Sequence, residues 1–158
     1  MPRRSTNITL PDPEATGALA RRLAVFLEPG DTLLMSGEIG AGKTFFAREL
    51  LSEILPVPED IPSPTFTIVQ AYETTRGDVW HVDLYRLETK SEVVELGLLE
   101  AFSDMICLVE WPDRLGDMAP DSALNLAFSS GMHEEDRNLL ITWQDTRWDS
   151  LMNEIADD

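Results

Sequence analysis

The sequence predicts a three-layer α/β domain, residues 1–158 as one unit, with a central sheet that is part parallel and part antiparallel. Three observations carry this. Apolar runs of strand length alternate with stretches of helical apolar spacing, the pattern that strand-crossover-strand units require. Two pairs of β-rich runs lie close enough together to form hairpins. A chain of 158 residues, 43% hydrophobic, also buries enough surface for a core that needs neither disulfide nor structural metal.

The elements follow in order. Asp12-Pro13-Glu14 is a helix start, with Asp12 as N-cap and Pro13 at the first helical position. Leu19, Leu23, Phe26 and Leu27 then recur at helical spacing until Pro29-Gly30 ends the helix. Residues 31–36 form a short apolar strand, followed by a glycine-rich turn and a second helix from 43 to about 55. The proline-rich stretch 56–64 is a loop. Residues 66–72 and 79–85, rich in β-branched and aromatic side chains, make the first hairpin. Ser91, followed by Glu92, Val93, Leu96 and Leu99, starts a capped amphipathic helix, and 105–109 is an apolar run suited to a buried central strand. Residues 123–128 and 138–143 flank a turn near Gly131 as a second hairpin, and the tail 147–158 reads as a short acidic helix that frays.

Composition narrows the function. Twelve Lys+Arg against 29 Asp+Glu leave a net charge of −17, so the basic face that grips nucleic-acid phosphates is missing. Any anionic ligand must be held by local groups strong enough to overcome that field. The lone Cys107 makes neither an internal disulfide nor a zinc site and behaves as a small buried hydrophobe, which fits a reducing, cytoplasmic setting. The N-terminus holds no apolar run long enough for export or membrane insertion.

One motif carries chemistry. Gly37-Glu38-Ile39-Gly40-Ala41-Gly42-Lys43-Thr44 matches G-x-x-x-x-G-K-[ST] between a strand and a helix. The glycines let successive backbone N–H groups turn inward around phosphate oxygens, and the following helix aims its positive end at the same anion. Lys43 adds a point charge at the β- and γ-phosphates, and Thr44 offers a hydroxyl to Mg²⁺.

A nucleotide hydrolase also needs an acid at the end of a buried strand to secure Mg²⁺. Glu110 closes one apolar run and Asp83 another, and both are candidates. The loop Ser63-Pro64-Thr65-Phe66-Thr67 lies where nucleotide-sensing segments sit, with Thr65 or Thr67 as the sensing hydroxyl or as ordinary turn residues. Trp111 fits stacking on a base, a partner interface or core packing. His81 reads as a satisfied core histidine without chemistry, and Arg86 as a surface ion pair in preference to a phosphate contact.

Taken with His81-Val82-Asp83-Leu84-Tyr85-Arg86-Leu87, Glu95-Leu96-Gly97-Leu98 and Val109-Glu110-Trp111-Pro112, these motifs in this order resemble the TsaE (YjeE) family of small bacterial P-loop ATPases, from about residue 16 to 143. The resemblance implies a P-loop NTPase fold and a part in making the threonylcarbamoyl modification of tRNA. It implies ATP hydrolysis that is weak alone and stronger with the TsaD and TsaB subunits, with tRNA met only indirectly through that complex. Carried over by motif, the loop from Gly37 to Thr44 holds ATP, with Thr44 and Glu110 serving Mg²⁺. Asp83, Glu110 and Thr65 are implied as catalytic, and Trp111 as the aromatic at the nucleotide. Phe45 and Asp113 depart from the family's frequent Thr and Glu, and neither touches a proposed role.

Rival classes fit less well. A small-molecule kinase commonly carries an arginine-rich lid, and no Arg cluster follows the central helices. A GTPase reads guanine with Asn-Lys-x-Asp, and no Asn here precedes Lys. A non-catalytic nucleotide-binding adaptor shares the same loop.

Overall fold

In the computed structural model, which describes residues 3–133 and 136–156, the chain forms a sheet of seven strands among the described residues. The strands are β1 (Arg4–Leu10), β2 (Thr32–Ser36), β3 (Val69–Thr74), β4 (Gly77–Asp83), β5 (Ile106–Glu110), β6 (Leu124–Ser130) and β7 (Arg137–Trp143), in the spatial order β1-β7-β6-β2-β5-β4-β3. The four inner strands run parallel, whereas β3, β7 and β1 pair antiparallel at the two sides. The mixed α/β sheet expected from the sequence is present, and so are both hairpins, β3–β4 and β6–β7.

Alternation along the inner strands divides the core into two faces. Leu33 and Met35 of β2 and Ile106 and Leu108 of β5 point to one side, where α1 (Pro13–Ala24), α2 (Lys43–Ile54) and α5 (Asp149–Ala156) pack. Leu34, Cys107 and Val109 point to the other, against α3 (Lys90–Glu95), α4 (Leu98–Asp104) and Leu115 of a 3₁₀ segment. Both faces of β2 and β5 are covered, which is why these strands read as unbroken apolar runs.

Local chemistry sets the helix ends. The Asp12 carboxylate accepts from the Ala15 N–H at 2.8 Å, and Pro13 sits in the first turn. The cap of α3 is Thr89, not Ser91: its hydroxyl accepts from the Glu92 N–H, and the Glu92 carboxylate returns to the Thr89 N–H, a reciprocal capping box. The expected single helix here is two, because Gly97 at φ 81° turns the chain between α3 and α4.

Three further expectations are corrected. Residues 66–68 are turn, since Ile68 takes a left-handed φ of 71° and the ladder starts at Val69. An additional strand, β1, pairs with β7 over Arg4–Leu10, its polar residues alternating outward and concealing it from a hydrophobic pattern. The C-terminal segment is docked: Trp148, Leu151, Met152 and Ile155 are buried, and Arg147 forks onto Asp31 at 2.7 and 2.6 Å. The last two residues of the expected tail helix lie outside the described residues.

Candidate functional site

The site stands at the carboxyl ends of the parallel strands, where open α/β sheets bind their ligands. Register brings it together: β4 and β5 pair Asp83 with Glu110, while β2 and β5 pair Met35 with Glu110, so both acids lie beside the point where the chain leaves β2.

The loop that follows β2 runs from Gly37 to Thr44. Gly37 has φ 139°, and a Cβ there would lie 2.6 Å from the Phe128 carbonyl, so only glycine passes. Gly42, at φ 112°, caps α2 without a side-chain acceptor, which leaves the first-turn N–H groups aimed into the cleft. Glu38 and Ala41 close the loop through a backbone bond of 3.0 Å, and the Ile39 side chain is largely exposed. The cleft measures about 700 Å³ and is lined by Ile39, Gly40, Gly42, Lys43, Thr44 and Phe45 from the loop and helix. Thr65, Asp83, Glu110 and Trp111 also line it, as do Pro13, Thr16 and Arg137.

Lys43 is buried. Its ammonium donates to the Gly37 carbonyl and, at 3.4 Å, to that of Glu38, and it lies 3.7 Å above the Trp111 ring. Burial pulls its pKa below the ordinary 10.5, opposed by Glu110, Asp83 and Asp113. The Thr44 hydroxyl donates to Glu110 at 2.8 Å to Oε1 and 3.1 Å to Oε2, joining the loop to β5. His81 Nε2 stands 2.7 Å from Glu110 Oε2. Asp83 accepts from the Tyr85 N–H at 2.9 Å and the Thr65 hydroxyl at 3.3 Å, and Thr65 in turn bonds Ser63 at 2.8 Å. Desolvation raises the Asp83 carboxyl above its ordinary 3.8, and neighbouring Glu110 raises it further.

Of the two threonines considered for the sensing loop, the structure brings Thr65 to the site, whereas Thr67 bonds Gln70 at an exposed position. Trp111 packs its ring on Tyr85, centroids 4.8 Å apart, and against the core face that holds Leu34 and Val109, while facing Lys43. Its φ of 60° and that of Ile68, 71°, are the positive values among the described non-glycine residues, and Trp111 lines the cleft. Arg86 lies over exposed Phe66, 5.7 Å from the ring. Sequence reasoning took His81 for a satisfied core histidine without chemistry and did not single out Arg137. His81 is fully buried but has no partner on Nδ1 among the described residues. Arg137 reaches from β7 to the Gly40 carbonyl at 3.4 Å. Arg137 has no motif signal, and His81 lies in a motif quoted above, but strand register alone sets what each of them touches.

The glycine loop between a parallel strand and an uncapped helix, inside this mixed sheet, defines the class: a P-loop α/β protein. Residues 10–139 match the family model described as "Threonylcarbamoyl adenosine biosynthesis protein TsaE", and the chain belongs to the TsaE family. It is similar to the tRNA threonylcarbamoyladenosine biosynthesis protein TsaE of Bacillus subtilis, 36% identical over 92% of this chain and 90% of that one. The protein of that name from Rickettsia felis is 42% identical over 67% of this chain. The matches span 62% of the Rickettsia felis protein and 60% of the Rickettsia conorii one. A crystal structure of Bacillus subtilis YdiB superposes with a TM-score of 0.76 at 26% identity, over 99% of this chain and 97% of that one. No helix among the described residues is long and apolar enough to cross a membrane.

Proposed function

We propose that the protein binds and hydrolyses ATP in the biosynthesis of threonylcarbamoyladenosine on tRNA, acting in the cytoplasm on a TsaD and TsaB complex and meeting tRNA only through it. The observation that supports this most directly is the Thr44–Glu110 contact. It sets the hydroxyl of a phosphate loop against a strand-end carboxylate, the pair that a Mg²⁺-nucleotide site needs.

In this reading the loop N–H groups and the start of α2 surround the phosphates, and Lys43 leaves its carbonyls to meet the β- and γ-oxygens. Thr44 and Glu110 fit Mg²⁺, which binds through one or two protein oxygens with the rest from water and phosphate. When bound, Mg²⁺ neutralises charge on the β,γ-oxygens. Asp83, with its pKa raised by burial, is the better base for it, and Thr65 fixes Oδ2. As water attacks the γ-phosphorus, Asp83 takes its proton. The bond to the β,γ-bridging oxygen breaks, and ADP and phosphate leave.

The test combines calorimetry with reconstitution. Lys43→Ala should lower ADP affinity at least tenfold without altering the fold. Several turnovers of tRNA modification by TsaD and TsaB should require the wild-type chain and fail with this variant. Unchanged affinity would remove the phosphate-loop assignment. Affinity lost without any effect on modification would leave the nucleotide site and overturn the role in the complex.

A further inference from the structure

We propose that His81 is a positioning residue that holds the Glu110 carboxylate toward Thr44, an inference that rests on the nucleotide reading of the cleft. His81 is wholly buried and Glu110 almost so, at 0% and 2% exposure. Their 2.7 Å contact lies at the short end for N–H···O bonds. A carboxylate oxygen only accepts, so Nε2 donates, and that fixes the imidazole tautomer.

Two features separate this from ordinary packing. First, Nδ1 has no partner among the described residues, so the imidazole leaves a polar atom unsatisfied that an aliphatic side chain at this position would not carry. The polarity is explained by what Nε2 does. Second, the pleat aims the contact. Register places His81 beside Leu108 and Asp83 beside Glu110, so His81 and Asp83 share the face of β4 that looks toward α2, where the Glu110 side chain also turns. Glu110 is thus gripped from two sides, by Thr44 from the loop at 2.8 Å and by His81 from within the sheet. Its carboxylate cannot turn away when the Thr44 hydroxyl is drawn to another partner. Groups that orient a ligating carboxylate in this way matter nearly as much as the ligand itself.

The test compares His81→Gln, whose amide nitrogen falls near Nε2, with His81→Asn, whose shorter amide does not reach Glu110. ADP affinity is measured by calorimetry in Mg²⁺ and in EDTA, and ATP turnover in the reconstituted system. The Asn variant should keep its affinity in EDTA, lose the gain that Mg²⁺ gives, and lower kcat about 10- to 100-fold. The Gln variant should recover most of both. Wild-type values for the Asn variant, or equal losses for both with matching falls in Tm, would overturn the positioning role while leaving the nucleotide site intact. A wild-type protein with no ADP binding in either buffer would overturn both.

Discussion

Asp83 shows how a single residue is set between stability and chemistry. Its carboxylate is buried beside Glu110, and both facts raise its pKa above 3.8. A carboxyl whose pKa rises on folding supports the fold while protonated and opposes it once ionised, so at neutral pH Asp83 works against stability. Asp83→Asn keeps an acceptor for the Tyr85 N–H and removes the charge. It should raise Tm at pH 7 by roughly 2–4 °C, the effect of about 1 kcal/mol in a chain of this size, while ATP turnover falls. The gain should shrink as pH falls toward 3.8, where the wild-type carboxyl is protonated too. An unchanged or lower Tm at pH 7 would mean that Asp83 is already compensated. What the sequence reveals at this scale depends on contiguity. Lys43, Thr44, Asp83 and Glu110 stand out because loop and strand ends are written in consecutive residues. His81 stands in such a run but its partner does not, and Arg137 stands in none, since register between strands far apart in sequence decides what they touch.

Among the elements, the phosphate loop is the most exacting. Gly37 carries both a φ of 139° and a Phe128 carbonyl where its Cβ would go, whereas Gly40, at φ 83°, has open space around it. The two glycines therefore separate backbone strain from steric conflict. Gly40→Ala should lose only the backbone cost, about 1 kcal/mol. Gly37→Ala adds a clash with backbone that cannot step aside, and should lose about 2 kcal/mol or more, or roughly 4–8 °C in Tm. It should also lose ADP binding, because relief of the clash moves the loop amides. Equal effects from the two substitutions, read by thermal unfolding, would show that Phe128 and β6 yield. The inner strands and both long helices were legible because their apolar periods are regular and their glycine and proline boundaries local. β1 was hidden for the opposite reason: an edge strand with one wet face and residues such as Arg4, Ser5 and Asn7 has little apolar signal, and pairing with β7 makes it. The docked C-terminus escaped notice likewise. Its acids suggested solvent, yet Trp148 and Leu151 turn inward and Arg147 is fixed by Asp31, a partner more than a hundred residues away.

For the molecule as a whole, the net charge of −17 sets a problem that the site must solve. On the proposed function, ATP would approach a negative field, with attraction beginning only within reach of Lys43, of Arg137 and of the α2 N-terminus. At about 10 mM salt the Debye length is roughly 30 Å, so the repulsion covers the whole molecule; at about 150 mM it is roughly 8 Å, and little beyond the cleft is felt. The local cations lie within that shorter distance and are screened less, being partly buried. Added salt should therefore speed nucleotide association, the reverse of the slowing seen where an oppositely charged surface steers its ligand. Stopped-flow binding of a fluorescent ADP analogue at rising ionic strength measures this directly. The association rate should climb between these concentrations while dissociation changes less. A rate that falls with salt would show that the cleft's own positive potential extends past the protein's negative field, so that capture is steered from a distance and not merely secured on contact.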